Sequence, residues 1–324
     1  MSDNEDTQSA LTSNRNEITI EETSADNLHH YIHAATSDNT RKAYQTDIRH
    51  FIQSGGLLPA NIEGLQQYLT RYATELNPRT LARRMTAIKQ WHVSQGFPDP
   101  TSHALIRKVL TGIKNTHGKP KEKAPPVTLD ALTIMVSHLK SSNRLIDWRN
   151  NALLQVGFFG AFRRSELVAL TWEQIKFLPE GIEIIITRSK TDQAGEGQFC
   201  AIPIGNDNLC AVQALKDWQD RSPQKSGAVF CPLPSREGQT AIKDNQVNCI
   251  LKSVANAAGL PNADAFSSHS LRRGFATEAS KRGAPFGAIQ RQGRWRHEGT
   301  VLGYIEEGKR FDSNAVDLML NTSN

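Results

Sequence analysis

The run Ser268-His269-Ser270-Leu271-Arg272-Arg273 is followed by Gly293-Arg294-Trp295 and, nine residues after the Trp, by Tyr304. An imidazole, a guanidinium and a phenol are what phosphoryl transfer requires: a proton carrier, a fixed cation for the non-bridging oxygens, and a nucleophile. Of the five Tyr, four (Tyr31, Tyr44, Tyr68 and Tyr72) precede residue 73, so a phenol acting in the C-terminal part can only be Tyr304. His269 and Arg272 are three apart, a spacing that lets both address one phosphate from one helix face. A second candidate is Gly160-Ala161-Phe162-Arg163-Arg164-Ser165-Glu166-Leu167, where Glu166 follows Arg163 by three and is placed to orient its guanidinium. The chain has no Gly-x-x-x-x-Gly-Lys-Ser/Thr phosphate loop and no convincing carboxylate pair for Mg²⁺, so fixed cations are expected to carry the charge, with no metal and no cofactor. Arginine suits that task because its planar fork holds two phosphate oxygens and keeps its charge.

These residues must be positioned by folded elements. From the cap cluster Ser37-Asp38-Asn39-Thr40, apolar residues recur at helical spacing (Tyr44, Ile48, Phe51, Ile52) until Gly55-Gly56. The same periodicity predicts helices from Asn61 to about Leu76, from Pro78 to Gly96, and from Ser102 to about Lys114. Four amphipathic helices with short links make a small all-α domain over 37–117. Residues 118–127 have linker composition, rich in Pro and Lys. Beyond them, Thr128 caps another helix, Trp148 to Phe159 reads as an apolar helix ended by Gly160, and 182–187 and 199–204 read as strands joined at Ala194-Gly195-Glu196-Gly197. The expected fold is mainly α, with a small antiparallel sheet in a C-terminal domain over 128–324.

Charge is unevenly spread. Residues 1–38 hold eight Asp or Glu against one Arg, and the polar stretch 1–36 is expected to be an acidic disordered tail. Residues 39–118 hold eleven Lys or Arg against four acids, the electrostatic footprint of a polyanion partner or of a solvated helical face. No apolar leader opens the sequence, no run suits a membrane span, and Cys200, Cys210, Cys231 and Cys249 lack metal or disulfide spacing. A cytoplasmic protein with reduced thiols is the expectation.

Taken in order, these residues resemble the tyrosine recombinase, or phage integrase, family, and especially its Cre-like two-domain members. The family signature is an Arg in a Gly-x-Arg-x-x-Glu-Leu context, a Lys on a β-hairpin, His-x-x-Arg, a His or Trp, and a nucleophilic Tyr. These fall on Arg163, Lys190, His269, Arg272, Trp295 and Tyr304, and the resemblance runs from about residue 37 to the end. His297, two residues after Trp295, is the alternative donor, Glu166 is a supporting residue, and Arg188 competes with Lys190.

The resemblance implies a helical core-binding domain and a catalytic domain forming a clamp on DNA. It implies a site-specific DNA recombinase: Tyr304 forms a covalent 3′-phosphotyrosine, Arg163 and Arg272 stabilise the transition state, His269 assists proton transfer, and Lys190 protonates the leaving 5′-oxygen. Strands would then be exchanged through a Holliday junction without ATP or metal, on double-stranded DNA with inverted binding arms, by a homotetramer associating weakly without DNA and nucleoid-associated through it. Arg41, Lys42, Arg79, Arg83, Arg84, Lys89, Arg164, Arg188 and Arg273 are candidate DNA contacts, Arg164 and Arg273 because each projects about 100° away from its neighbour on a helix. A short helix at about 312–320 is expected to dock on a neighbouring protomer or in cis, and with only a short tail ahead of the first helix a further arm-binding domain is not expected. Competing readings are a type IB topoisomerase-like enzyme and a catalytically silent DNA-binding relative.

Overall fold

A computed structural model describes residues 36–120, 122–186, 197–234 and 240–308, together with Val316 and Met319. The acidic tail, the hairpin residues Arg188 and Lys190, and most of the expected helix at 312–320 lie outside the described residues. The chain divides into two compact units, with the division between Lys121 and Glu122.

The first unit is four helices: α1 (Asp38–Gln53), α2 (Ile62–Arg71), α3 (Pro78–Ser94) and α4 (Ala104–His117). Their starts follow local chemistry. The side chains of Ser37, Asn61 and Asn77 each accept a backbone N–H of the first turn, and Pro78 opens α3, where its missing donor costs nothing. Phe51, Leu65, Leu69, Leu81, Ile88 and Ile106 are fully buried between them, each contributing about 1.5–3 kcal/mol relative to an exposed side chain. Beside this apolar core lies a polar one. Asp47 of α1 accepts two hydrogen bonds from Arg83 of α3, at 2.8 and 2.9 Å, and sits 3.5 Å from the Nε of Arg84. Arg84 donates to the Tyr68 hydroxyl at 2.7 Å and reaches His50 Nδ1 at 2.8 Å. Arg84 is therefore buried inside the unit, not displayed on its surface as the sequence suggested, because two neighbouring helices, α1 and α2, supply it with partners.

The second unit begins with α5 (Leu129–Lys140) and α6 (Leu145–Phe159). From Arg149 to Phe158 every residue of α6 is buried, which makes it the central helix of the main core. A short α7 (Arg164–Val168) leads to an antiparallel sheet of β1 (Ile175–Leu178), β2 (Gly181–Ile186) and β3 (Gln198–Pro203), in that order. Ile182, Ile184 and Ile186 face the core from β2, and Cys200 and Ile202 meet them from β3. Then come α8 (Ala211–Arg221), α9 (Gln246–Ala257), α10 (Ser268–Lys281), α11 (Phe286–Gly293) and α12 (Glu298–Gly308). Among the described residues no helix is long and apolar enough to cross a membrane. All four cysteines are free thiols.

One close approach positions the site. An added Cβ on Gly274 of α10 would lie 2.0 Å from the Val127 carbonyl oxygen. Glycine there lets the chain entering the second unit pack against α10, where the Val127 N–H donates to the Ser270 carbonyl at 3.0 Å and Arg273 donates to the Ala124 carbonyl. Val127, the end of the stretch read as linker, is fully buried.

Candidate active site

Five segments converge: the turn from α6 into α7, the start of α10, the end of α11, the link to α12, and α12 itself. Gly160 ends α6, Ala161 takes the left-handed region with φ 45°, and Arg163 is the residue from which α7 starts. Ala161 stands where the recombinase signature has its glycine, and that backbone angle explains the preference: a side chain there costs on the order of 1 kcal/mol. Glu166 reaches back to the Arg163 N–H at 3.0 Å, while its other oxygen accepts from the Arg163 guanidinium at 2.5 Å. The expected orientation of Arg163 by Glu166 is thus present.

Arg272 is 6% exposed and donates to two backbone carbonyls, those of Ala161 and Gly293. Its guanidinium carbon lies 4.2 Å from the centre of the Trp295 ring, and the Trp295 ring meets Tyr304 with centroids 5.9 Å apart and planes inclined at 60°. Burial first, and then the neighbouring Arg163 charge, push the Arg272 pKa down to about 9, with Glu166 opposing. Arg272 therefore remains a cation at neutral pH, but one short of negative charge, which an arriving phosphate would supply. Tyr304, partly buried, packs with Ala276, Ile289, Trp295 and Val301 in a small apolar cluster formed by α10, α11 and α12. His269 is exposed in the first turn of α10, one turn before Arg272. His297 is exposed, whereas Trp295 is buried against Arg272.

Two arginines were placed differently by the sequence. Arg273 was expected at the DNA backbone or in solvent. It is 4% exposed, and its guanidinium lies 5.8 Å from the Tyr304 ring centre, because α10 is covered there by the entering chain and by α12. Arg294 was assigned no role. Its side chain is 4% exposed and 3.3 Å from Glu166. Its signal was its place in Gly293-Arg294-Trp295, but its partner is 128 residues away.

The remaining candidate DNA contacts vary in availability. Lys42, Arg79 and Lys89 are exposed, with Lys89 3.8 Å from Asp99. Arg41 pairs with Asp38, Arg83 with Asp47, and Arg164 with Asp244 at 3.1 Å. Each of these can exchange its acid for a phosphate only by breaking that pair.

The chain belongs to the phage integrase family, tyrosine recombinases that break and rejoin DNA at specific sites; the family's model matches residues 128–310. An integrase/recombinase XerD homolog of Selenomonas ruminantium is 36% identical over 296 residues, covering 88% of this chain and 86% of its own. A tyrosine recombinase XerD of Shewanella oneidensis is 25% identical over 269 residues, covering 78% and 81%. Among solved structures, a XerH site-specific recombinase in a post-cleavage complex with a palindromic difH substrate has a TM-score of 0.61 at 15% identity, covering 88% of this chain and 79% of that one. A lambda integrase dimer bound to a core site has a TM-score of 0.59 at 15% identity, covering 87% and 75%. At that identity the structural likeness concerns the fold.

Proposed function

We propose that Tyr304 is the nucleophile of this recombinase, attacking a scissile phosphate in double-stranded DNA to form a 3′-phosphotyrosine and release a 5′-hydroxyl. The observation that carries the reading is the contact series from Arg272 to Trp295 to Tyr304, with Arg163, held by Glu166, close enough for its charge to bear on Arg272. A phenol must lose its proton during attack, and neighbouring cations lower that cost. Arg163 and Arg272 stabilise charge on the non-bridging oxygens, Trp295 packs against the second of them, and His269 handles the phenol proton. Lys190, outside the described residues, donates the proton to the leaving 5′-oxygen. The adduct conserves the energy of the broken bond, so a 5′-hydroxyl from a partner DNA can reverse the attack and exchange strands through a Holliday junction.

On this reading the working form is a homotetramer on two DNA sites, each with inverted arms, in the cytoplasm with the nucleoid. The exposed cations Lys42, Arg79 and Lys89 contribute to DNA binding through the phosphate backbone. A nicked suicide substrate tests the chemistry. Wild type is expected to trap a covalent protein–DNA adduct and Tyr304→Phe none; an adduct that survives the substitution defeats the assignment. Two sites on one plasmid then test the reaction class: deletion or inversion is expected, and relaxation alone would mark a topoisomerase.

A further inference from the structure

Arg294 occupies a position that suits it badly on two counts. Its backbone is left-handed (φ 55°, ψ 43°), a region glycine enters freely and side chains resist, and its cation is almost wholly removed from water. Something must offset both. Its Nη2 donates to the Gly160 carbonyl at 3.0 Å and lies 3.3 Å from Glu166 Oε2, its Nη1 donates to the Gln292 carbonyl at 2.7 Å, and its guanidinium carbon stands 4.7 Å from the Phe162 ring centre. Glu166 thus serves two guanidiniums at once: Oε1 holds Arg163, Oε2 holds Arg294, and Oε2 also accepts the Arg163 N–H.

We infer that Arg294 is a positioning residue for DNA cleavage, anchoring Glu166 from behind so that Glu166 holds the Arg163 guanidinium toward the scissile phosphate; the inference rests on the proposed attack by Tyr304. Two physical effects combine. A second cation on Oε2, the oxygen that also accepts the Arg163 N–H, backs the carboxylate against the guanidinium on Oε1 and so steadies the fork that Arg163 presents. Burial also works against an ionised Glu166; the Arg294 charge is the largest single effect opposing it, followed by the charge and two hydrogen bonds of Arg163, and together they hold the carboxyl below its ordinary range. Without Arg294, Glu166 takes up a proton at higher pH and loses its hold on Arg163.

The test is single-turnover adduct formation on the nicked suicide substrate, with the full chain, comparing wild type, Arg294→Gly, Arg294→Lys, Glu166→Gln and the Glu166→Gln, Arg294→Gly double variant across the acidic and neutral range. Glycine is chosen because it keeps the left-handed backbone and removes only the side chain. Arg294→Gly is expected to bind the DNA as wild type does and to form adduct about 10- to 100-fold more slowly. The deficit should deepen as pH falls, and Arg294→Lys should restore part of the rate. In the Glu166→Gln background the same change should cost no more than about twofold, because the two residues act as one unit. A wild-type rate for Arg294→Gly, a pH-independent deficit, or one that adds fully to that of Glu166→Gln overturns the inference. If Arg294→Gly does not fold, Arg294→Lys decides, since a wild-type rate and pH profile in that variant overturns it too. No adduct from wild type itself would instead bring down the Tyr304 reading on which it stands.

Discussion

Gly293 has no side chain because Trp295 lies where one would be: an added Cβ would stand 1.7 to 2.3 Å from three atoms of the indole ring. The Gly293 carbonyl is also one of the two that hold Arg272. Gly293→Ala is therefore expected to push Trp295 off Arg272 and Tyr304 and to slow adduct formation by about 100-fold, the usual effect of misplacing a reacting group by about 1 Å. Single-turnover cleavage at saturating DNA measures this, and an unchanged rate would mean that Trp295 is not part of the working geometry. At this scale the sequence was legible wherever partners are close in the chain. Glu166, in the first turn of α7, reaches back to Arg163 at its cap, and His269 precedes Arg272 by one turn of α10, both relations being local to one helix start. It was illegible where a cation's fate depends on distant segments. Arg84, Arg273 and Arg294 looked like surface charge or like nothing at all, and their burial is decided by α1 and α2, by Ala124, and by Glu166 respectively.

Among the elements, α1 and α3 are joined by Asp47, which is 1% exposed and meets both Arg83 and Arg84. Asp47→Asn leaves the Arg84 cation buried without its carboxylate and is expected to cost about 3 kcal/mol, at the lower end for a broken buried pair because Tyr68 and His50 still bind Arg84. Urea unfolding of the full chain reads this directly; a loss below about 1 kcal/mol would place the pair with ordinary surface bridges. The same cluster is sensitive to acid. Burial, and next the Arg84 charge, hold the His50 pKa below its ordinary value, with Asp47 and Glu75 opposing. The unfolded chain then binds that proton more readily than the folded one, so the contribution of His50 is complete above its ordinary pKa of about 6.5 and is lost as pH falls through the lowered folded value. His50→Gln should flatten this part of the stability profile, and identical acid profiles for the two proteins would dismiss the effect. The helices themselves were readable from periodicity and caps, but α2 stops at Arg71 although Tyr72 and Leu76 continue the pattern. Asn77-Pro78 must open α3, and the residue before a proline resists helical backbone. Strand β1 escaped notice because four partly exposed residues at the edge of a sheet carry no period.

At the level of the whole molecule, the Pro- and Lys-rich composition of 118–127 brackets the division at Lys121–Glu122, yet the stretch is not uniform. Its last residues are fastened to α10 through Val127, and through the Ala124 carbonyl to Arg273. Composition reports how soluble and unpatterned a stretch is, and not which of its carbonyls will find a buried arginine. A Gly-Ser insertion next to Lys119, which leaves the Ala124–Arg273 bond intact, should therefore keep adduct formation on a suicide substrate within about twofold of wild type, whereas Arg273→Ala, which removes that bond, should slow it by about tenfold or more. Equal behaviour of the two variants would show that the attachment is incidental. If it is not, the start of the second unit is two contacts from Tyr304: Ala124 holds Arg273, and Arg273 lies over the Tyr304 ring. The first residues of the second unit thus form a back wall for the phenol: whatever shifts Ala124 shifts the cation that lies over the Tyr304 ring.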